Sequence, residues 1–176
     1  FEICIWNVGS TVDTQEIAER LSSGDARIKL GGTALNCGVG SAGNSVFLMS
    51  KGDVVLFMGC DDKLRPQYIS KTLPLVRDPA VGMVSSWVET FGIKAGKPAR
   101  PPKIGRKEHR DRFYHGNYLF GGWMLRREVF FEVGGFAQGF GYICDLECLV
   151  RIVNKYEIRV VEEELYLYRV RIGSIS

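Results

Sequence analysis

The chain has 176 residues, of which 45% are hydrophobic and 24% are charged, and this suits one soluble globular domain with its own core. The formal net charge of +3 is too small to indicate a nucleic-acid partner by itself. No apolar run reaches the roughly 18 residues that a membrane helix needs. The five cysteines form no CxxC pair, so neither a disulfide framework nor a zinc site is indicated.

Strand and helix signals alternate along the chain. Short apolar runs rich in β-branched and aromatic residues predict strands, and capped or amphipathic segments predict helices. In chain order the expected elements are strand 1–6, a helix capped by Asp13 with Ile17 and Leu21 on one face, strand 27–30, helix 36–51, strand 53–58, helix 68–76 just after Pro66, strand 81–88, helix 126–133, helix 145–156, and strands 158–161 and 165–170. The alternation predicts an α/β fold in which helices cover both faces of a mostly parallel, mixed central sheet, and we expect 1–176 to form a single domain.

Residues 92–112 interrupt this pattern. They contain three prolines, three glycines and eight basic residues, which predicts a basic, mobile loop. Two interpretations are open: contact with a pyrophosphate or an anionic acceptor, or a solvated loop without a ligand. The only aromatic residues, Phe113 and Tyr114, lie at its edge, so the pattern is a poor match to proteins that bind single-stranded nucleic acid.

Three segments are candidates for chemistry, because ligands of open α/β sheets bind beyond the carboxyl ends of the strands. They are the segment 7–13 after the first strand, the turn 59–62 after the clearest buried strand, and the helix start 144–147.

The turn 59–62 contains two adjacent carboxylates, Asp61 and Asp62. Such a pair suits Mg²⁺ or Mn²⁺ shared with substrate phosphates. The alternative is that Asp62 satisfies backbone N–H groups of the following helix.

The other candidates also have two interpretations each. Asp145 and Glu147 would either interact with the positive end of a helix dipole or supply a carboxylate that accepts a proton from a hydroxyl. Asn36, Gly38 and Asn44 surround a glycine-rich helix entry, which would either hold a phosphate or only allow close packing of the helix.

The order and spacing of these motifs resemble family-2 glycosyltransferases of the GT-A fold. The similarity begins at the second strand of that family, so we expect a domain that lacks the first strand, either as a fragment or in rearranged form. The matching segments are Phe1–Thr14, Asn36–Asn44, Val54–Pro66, Gly121–Phe136, Cys144–Arg151 and Tyr168–Arg169.

The resemblance implies transfer of a sugar from a nucleotide carrier, with a UDP-sugar as the expected donor, to a saccharide or lipid-linked acceptor, as in polysaccharide biosynthesis. It implies inversion at the sugar carbon, Mn²⁺ or Mg²⁺ as cofactor and a cytoplasmic location, with a membrane-peripheral one as the alternative. We expect no nucleic-acid partner. The implied site residues are Asp145 as general base, Asp61 as metal ligand and donor contact, Asn7, Asp13, Asn36, Gly38 and Asn44 on the donor side, and Gly121, Gly122, Trp123 and Glu147 on the acceptor side.

Several acidic positions of the family motifs hold other residues here. Gly59 stands in place of the first Asp of the Asp-x-Asp motif, Cys144 precedes the expected base, and Asn7-Val8 replaces an acidic pair. These changes favour an alternative function, a non-catalytic domain of the same fold that binds a sugar, a nucleotide or a protein partner. A nucleotidyltransferase is a weaker third option, since no basic glycine-rich loop follows the first strand.

Overall fold

The computed structural model describes residues 1–10, 13–93, 100–119 and 121–172 and divides the chain into two compact units. The first unit combines Phe1–Asp53 with Gly134–Cys148, and the second combines Val54–Val133 with Leu149–Ser176. Each unit is described by itself.

The first unit is built on a pair of parallel strands. Its elements are β1 (Ile3–Val8), α1 (Thr14–Gly24), β2 (Ile28–Thr33), α2 (Gly38–Met49), a 3₁₀ turn (Gly141–Ile143) and the start of α6 (Cys144–Lys155). Helix α2 packs on β1 and on the 3₁₀ turn. Phe47 of α2 is buried and packs edge-on against Phe136, with the ring centroids 6.4 Å apart. Burial of these two aromatic rings stabilises the contact between α2 and the segment 134–148.

The second unit is a five-stranded mixed sheet in the order β3-β6-β5-β7-β4. Its strands are β3 (Val54–Phe57), β4 (Lys63–Leu64), β5 (Val81–Gly92), β6 (Trp123–Arg126) and β7 (Glu157–Val170), and its helices are α3 (Tyr68–Val76), α4 (Arg106–Phe113), α5 (Arg127–Glu132) and the remainder of α6. Strands β5 and β7 are parallel, whereas β3 and β5 pair antiparallel with β6, and β4 pairs antiparallel with β7. The sheet is therefore mixed, as predicted.

The core of the second unit lies around β5, the long central strand. Its buried members are Tyr68, Val76, Val81, Val84, Val88, Met124, Leu165 and Tyr166. Residues 81–86 are buried without alternation, which is typical of a strand covered on both faces.

The prediction of a loop throughout 92–112 is wrong at its C-terminal end, where α4 begins at Arg106. The many basic residues obscured a short apolar face, because His109 and Phe113 lie four residues apart and are both buried. Residues 94–99 of the predicted loop lie outside the described residues.

Three further local differences have physical reasons. The two predicted strands after 157 form one strand, β7, which absorbs the polar segment 162–164 by shifting register opposite Ser86–Val88. Asp13 precedes α1 as predicted, but its side chain makes no capping hydrogen bond. Ile17 and Leu21 are exposed, and Ala18 is the buried residue of that helix.

Among the described residues, no helix has both the length and the apolar character needed to cross a bilayer.

Candidate active site

The end of β1 has a buried asparagine, Asn7, whose side-chain nitrogen and oxygen each make a hydrogen bond to a nearby residue. The Asn7 amide donates to the Gln15 side-chain oxygen at 2.8 Å, and its oxygen accepts the Ser10 N–H at 3.1 Å. The amide thus ties the turn after β1 to the first turns of α1. Asp13, at the start of that helix, is exposed. Thr11 and Val12, between them, lie outside the described residues.

Gly9 explains why the turn after β1 is tight. Its φ of 73° lies in the region that favours glycine, and a Cβ there would lie 2.5 Å from the Ala34 carbonyl oxygen. The turn therefore passes directly against the chain that follows β2.

The entry to α2 is shaped by its two asparagines. The Asn36 oxygen accepts the Gly38 N–H at 2.9 Å, and Gly38 has a φ of 82°. Asn44 makes two hydrogen bonds to the backbone of Phe136: its amide donates to the carbonyl at 2.9 Å, and its oxygen accepts the N–H at 2.8 Å. The Asn44 side chain thus fastens α2 to the segment that leads to α6.

Asp145 occupies the second position of α6, in the same unit as α2. Its carboxylate accepts the Leu146 N–H at 2.6 Å, and both Asp145 and Glu147 are partly buried. The preceding Cys144 packs against α2, where a Cβ on Gly40 would lie 3.3 Å from the Cys144 sulfur. Burial, followed by the charge of Asp145, raises the pKa of the Cys144 thiol, so this position carries no negative charge near neutral pH.

The turn after β3 has two carboxylates with different environments. Asp62 is held from both sides: Tyr166 donates its hydroxyl hydrogen to one carboxylate oxygen at 2.5 Å, and the Arg169 N–H donates to the other at 2.8 Å. Burial raises the pKa of Asp62, while these two hydrogen bonds lower it. Asp62 therefore accepts a hydrogen bond from a backbone N–H, as the alternative interpretation predicted. That N–H belongs to Arg169 of β7 rather than to the following helix.

Asp61 lies beside basic side chains from the end of the chain. Its carboxylate is 3.2 Å from the Arg171 Nε, and its carbonyl oxygen accepts a hydrogen bond from the Arg169 Nε at 2.9 Å. Gly59 is exposed, and its N–H donates to the Tyr166 hydroxyl at 3.2 Å. A Cβ at Gly59 would lie 2.6 Å from an Asp62 carboxylate oxygen.

Three of the four residues predicted for the acceptor side, Gly121, Gly122 and Trp123, belong to the second unit, whereas Glu147 belongs to the first. A Cβ on Gly121 would lie 2.7 Å from the Tyr166 hydroxyl, and one on Gly122 would lie 2.2 Å from the Tyr166 ring. Trp123 is buried and donates its indole N–H to the Leu119 carbonyl at 3.3 Å. Gly121 and Gly122 therefore make room for Tyr166, which in turn supports Asp62.

Two residues at this turn, Tyr166 and Arg171, were missed at the sequence level. The resemblance included Tyr168 and Arg169, but not their neighbours. The available signal for Arg171 was its position two residues after Arg169, just beyond the end of the predicted strand. Within the described ranges, no group of three or more His, Cys, Asp or Glu side chains could hold a metal ion.

A family model described as glycosyl transferase family 2 matches residues 1–134. The match includes the turn after β1, the entry to α2 and the turn after β3. No curated protein matches the chain significantly by sequence.

Solved structures share the fold at low sequence identity. S. aureus TarS 1-349 in complex with UDP-GlcNAc is 16% identical, with a TM-score of 0.79 over 99% of this chain and 51% of that chain. TarS 1-349 in complex with UDP is 17% identical, with a TM-score of 0.77 over 97% and 51%. The mannosyltransferase PcManGT from Pyrobaculum calidifontis, in complex with GDP-Man and Mn²⁺, is 16% identical, with a TM-score of 0.67 over 99% and 49%. The chain thus spans about half the length of each of these structures.

Proposed function

Because the chain belongs to glycosyl transferase family 2, we propose that it binds a nucleotide-sugar donor and transfers the sugar to an acceptor hydroxyl. The observation that carries this proposal is the family match over residues 1–134, which covers all six candidate donor residues. The fold is the GT-A fold that the resemblance predicted, an α/β arrangement with a mixed sheet shared with TarS.

The donor we propose is a sugar linked to a nucleoside diphosphate, with a UDP-sugar as the first candidate. TarS was solved with UDP and with UDP-GlcNAc, and PcManGT with GDP-Man, so structures of this fold accommodate such compounds. In this chain Asn7, Asp13, Asn36, Gly38 and Asn44 would line or shape the nucleoside side. The Asn7 and Asn44 amides are bonded within the protein, so we expect these two residues to shape the site rather than to contact the donor directly.

We propose that Asp145 is the general base of the reaction. Its carboxylate would take the proton of the acceptor hydroxyl while the hydroxyl oxygen forms a bond to the anomeric carbon. The bond from that carbon to the phosphate oxygen breaks, and the nucleoside diphosphate leaves with the electron pair, which inverts the configuration. The acceptor we propose is a saccharide or a lipid-linked sugar, and Glu147, on the same turn of α6, would face it.

The residues at the turn 59–62 do not fit a divalent cation held by the protein. Gly59 supplies no ligand, both Asp62 oxygens accept hydrogen bonds, and Asp61 is paired with Arg171. Mn²⁺ or Mg²⁺ therefore stays a prediction from the resemblance, and no step above depends on it.

The alternative function is a non-catalytic domain that binds a sugar, a nucleotide or a protein partner. The observation that favours it is the loss of two acidic positions, Gly59 and Cys144. Cys144 is buried with a raised pKa, so no charged group adjoins the proposed base on its N-terminal side.

Two measurements separate these functions. Thermal unfolding in the presence of UDP-, GDP- and dTDP-sugars should show stabilisation by the true donor, about 2.7 kcal/mol at a hundredfold excess over Kd. Hydrolysis or transfer of the sugar should then be lost in Asp145→Asn and kept in the matched variant Asp111→Asn, whose side chain is exposed. Donor binding without turnover in the wild type would favour the non-catalytic domain, and turnover by Asp145→Asn would refute the assignment of the base.

A further inference from the structure

Three cationic side chains surround the turn 59–62, and we call them the cationic edge: Lys63, Arg169 and Arg171. Arg171 contacts the Asp61 carboxylate, and Arg169 contacts the Asp61 carbonyl oxygen. Lys63 and Arg169 both lie over the Phe91 ring, with the Lys63 Nζ 5.1 Å and the Arg169 guanidinium carbon 4.7 Å from its centroid. Two of the three cations thus contact the same aromatic ring.

The balance of charge at this turn favours an anion over a cation. Among the described residues, three positive side chains face two carboxylates, Asp61 and Asp62. One of the two, Asp62, accepts hydrogen bonds at both oxygens and is held by the protein itself. A third carboxylate at position 59 would cancel this excess of positive charge, but that position is glycine.

Arg171 is the member of the cationic edge best placed to meet a ligand. Its side chain is 66% exposed, and the Asp61 carboxylate engages its Nε. A guanidinium carries five N–H donors in a planar fork, so its two terminal nitrogens can bind phosphate oxygens while Nε keeps its ion pair. Asp61 would then orient the guanidinium rather than hold a metal ion.

We propose that the diphosphate of the donor is bound at this turn by the guanidinium groups of Arg171 and Arg169, and that nucleotide binding therefore requires no divalent cation. The inference rests on the proposed function, since it concerns the donor of that same site. The two guanidinium groups offer charge-assisted hydrogen bonds to the diphosphate oxygens, and they are attached to β7 and to its end.

The test is isothermal titration calorimetry of the protein with UDP, GDP and pyrophosphate, in EDTA and in Mn²⁺. We expect the Kd for the preferred nucleotide to agree within about threefold between the two conditions, which is under 1 kcal/mol. Arg171→Gln should weaken binding in EDTA by about tenfold or more, because it removes a charge-assisted contact, and Arg171→Lys should recover part of the loss.

Arg27→Gln is the matched control. Arg27 is also exposed and paired with an aspartate, Asp25. The side chains of Arg27 and Asp25 are 56% and 33% exposed, and those of Arg171 and Asp61 are 66% and 33% exposed. It should bind nucleotide as the wild type does, and circular dichroism should show that all variants fold.

Each contrary result has a separate meaning. Binding that needs Mn²⁺, or that Arg171→Gln leaves unchanged, would overturn the inference and leave the proposed function standing. Equal affinity for pyrophosphate and nucleotide would overturn the assignment to the donor. No binding of either nucleotide in either condition would count against the proposed function and, with it, the inference.

Discussion

Replacing Tyr166 by phenylalanine should destabilise the protein measurably, since the Tyr166 hydroxyl joins two parts of the candidate site. The hydroxyl is buried, donates to the Asp62 carboxylate at 2.5 Å and accepts the Gly59 N–H at 3.2 Å. Water can replace the second contact, because Gly59 is exposed, so the cost comes from the carboxylate. A hydrogen bond to a charged group contributes about 1.5–3 kcal/mol, and we expect a loss of about 2 kcal/mol.

The assay is urea and thermal unfolding of Tyr166→Phe beside Tyr114→Phe, in which the tyrosine is 70% exposed. A loss of about 2 kcal/mol should lower the Tm of a chain of this size by about 4–8 °C, whereas the control should change little. Because Asp62 is the partner, Tyr166→Phe combined with Asp62→Asn should show a coupling energy of about 1 kcal/mol or more. Equal stability of Tyr166→Phe and the control, or additive effects in the double variant, would refute this account of the turn.

Two further predictions concern stability. Gly122→Ala should lower the free energy of unfolding by about 2–5 kcal/mol, because Gly122 has a φ of 69° and a Cβ would lie 2.2 Å from the Tyr166 ring. The control is Gly24→Ala, where a Cβ would have no atom within 4 Å. It should leave the free energy of unfolding, measured by the same urea titration, unchanged. Burial, and then the charge of Arg112, lowers the pKa of His109 from 6.5 to about 4. The unfolded chain binds this proton more readily, so stability should fall as the pH falls from about 6.5 towards 4, by about 2–3 kcal/mol at pH 4.5. The measurement is the urea midpoint between about pH 6.5 and 4.5. In His109→Gln the midpoint should fall less with pH than in the wild type. An equal fall in both proteins would refute this role of His109.

The local parts of the fold were predictable because their causes are local. The apolar run before Gly59 predicted β3, and the acidic start at Asp145 predicted α6, within one or two residues of the observed bounds. The helix α4 was not predictable from composition, since its eight residues include four Lys or Arg side chains and its buried residues are His109 and Phe113.

The partners within the candidate site depend on contacts that are distant in sequence. The bond from Tyr166 to Asp62 spans 104 residues, and the contacts of Asn44 with Phe136 span 92. No spacing rule links such positions. Asp62 could be identified as a polar group after a strand and Asn44 as one near a helix entry, but their partners could not be assigned. For the same reason, the close approach of Tyr166 to Gly121 and Gly122 could not be predicted from the sequence.

The contacts of the neighbouring residues leave no room for a carboxylate at position 59. A Cβ there would lie 2.6 Å from an Asp62 oxygen, which is closer than non-bonded atoms approach, and that oxygen is the one that accepts the Tyr166 hydroxyl. An aspartate at position 59 would therefore need Asp62 to move and to give up a charge-assisted hydrogen bond inside a half-buried site. Glycine at 59, the bonded Asp62 and the Arg171–Asp61 pair thus form one self-consistent arrangement. A metal-binding pair of carboxylates at positions 59 and 61 would therefore require changes at several of these positions together. For this reason we propose that the arginines, rather than a metal ion, bind the phosphate groups.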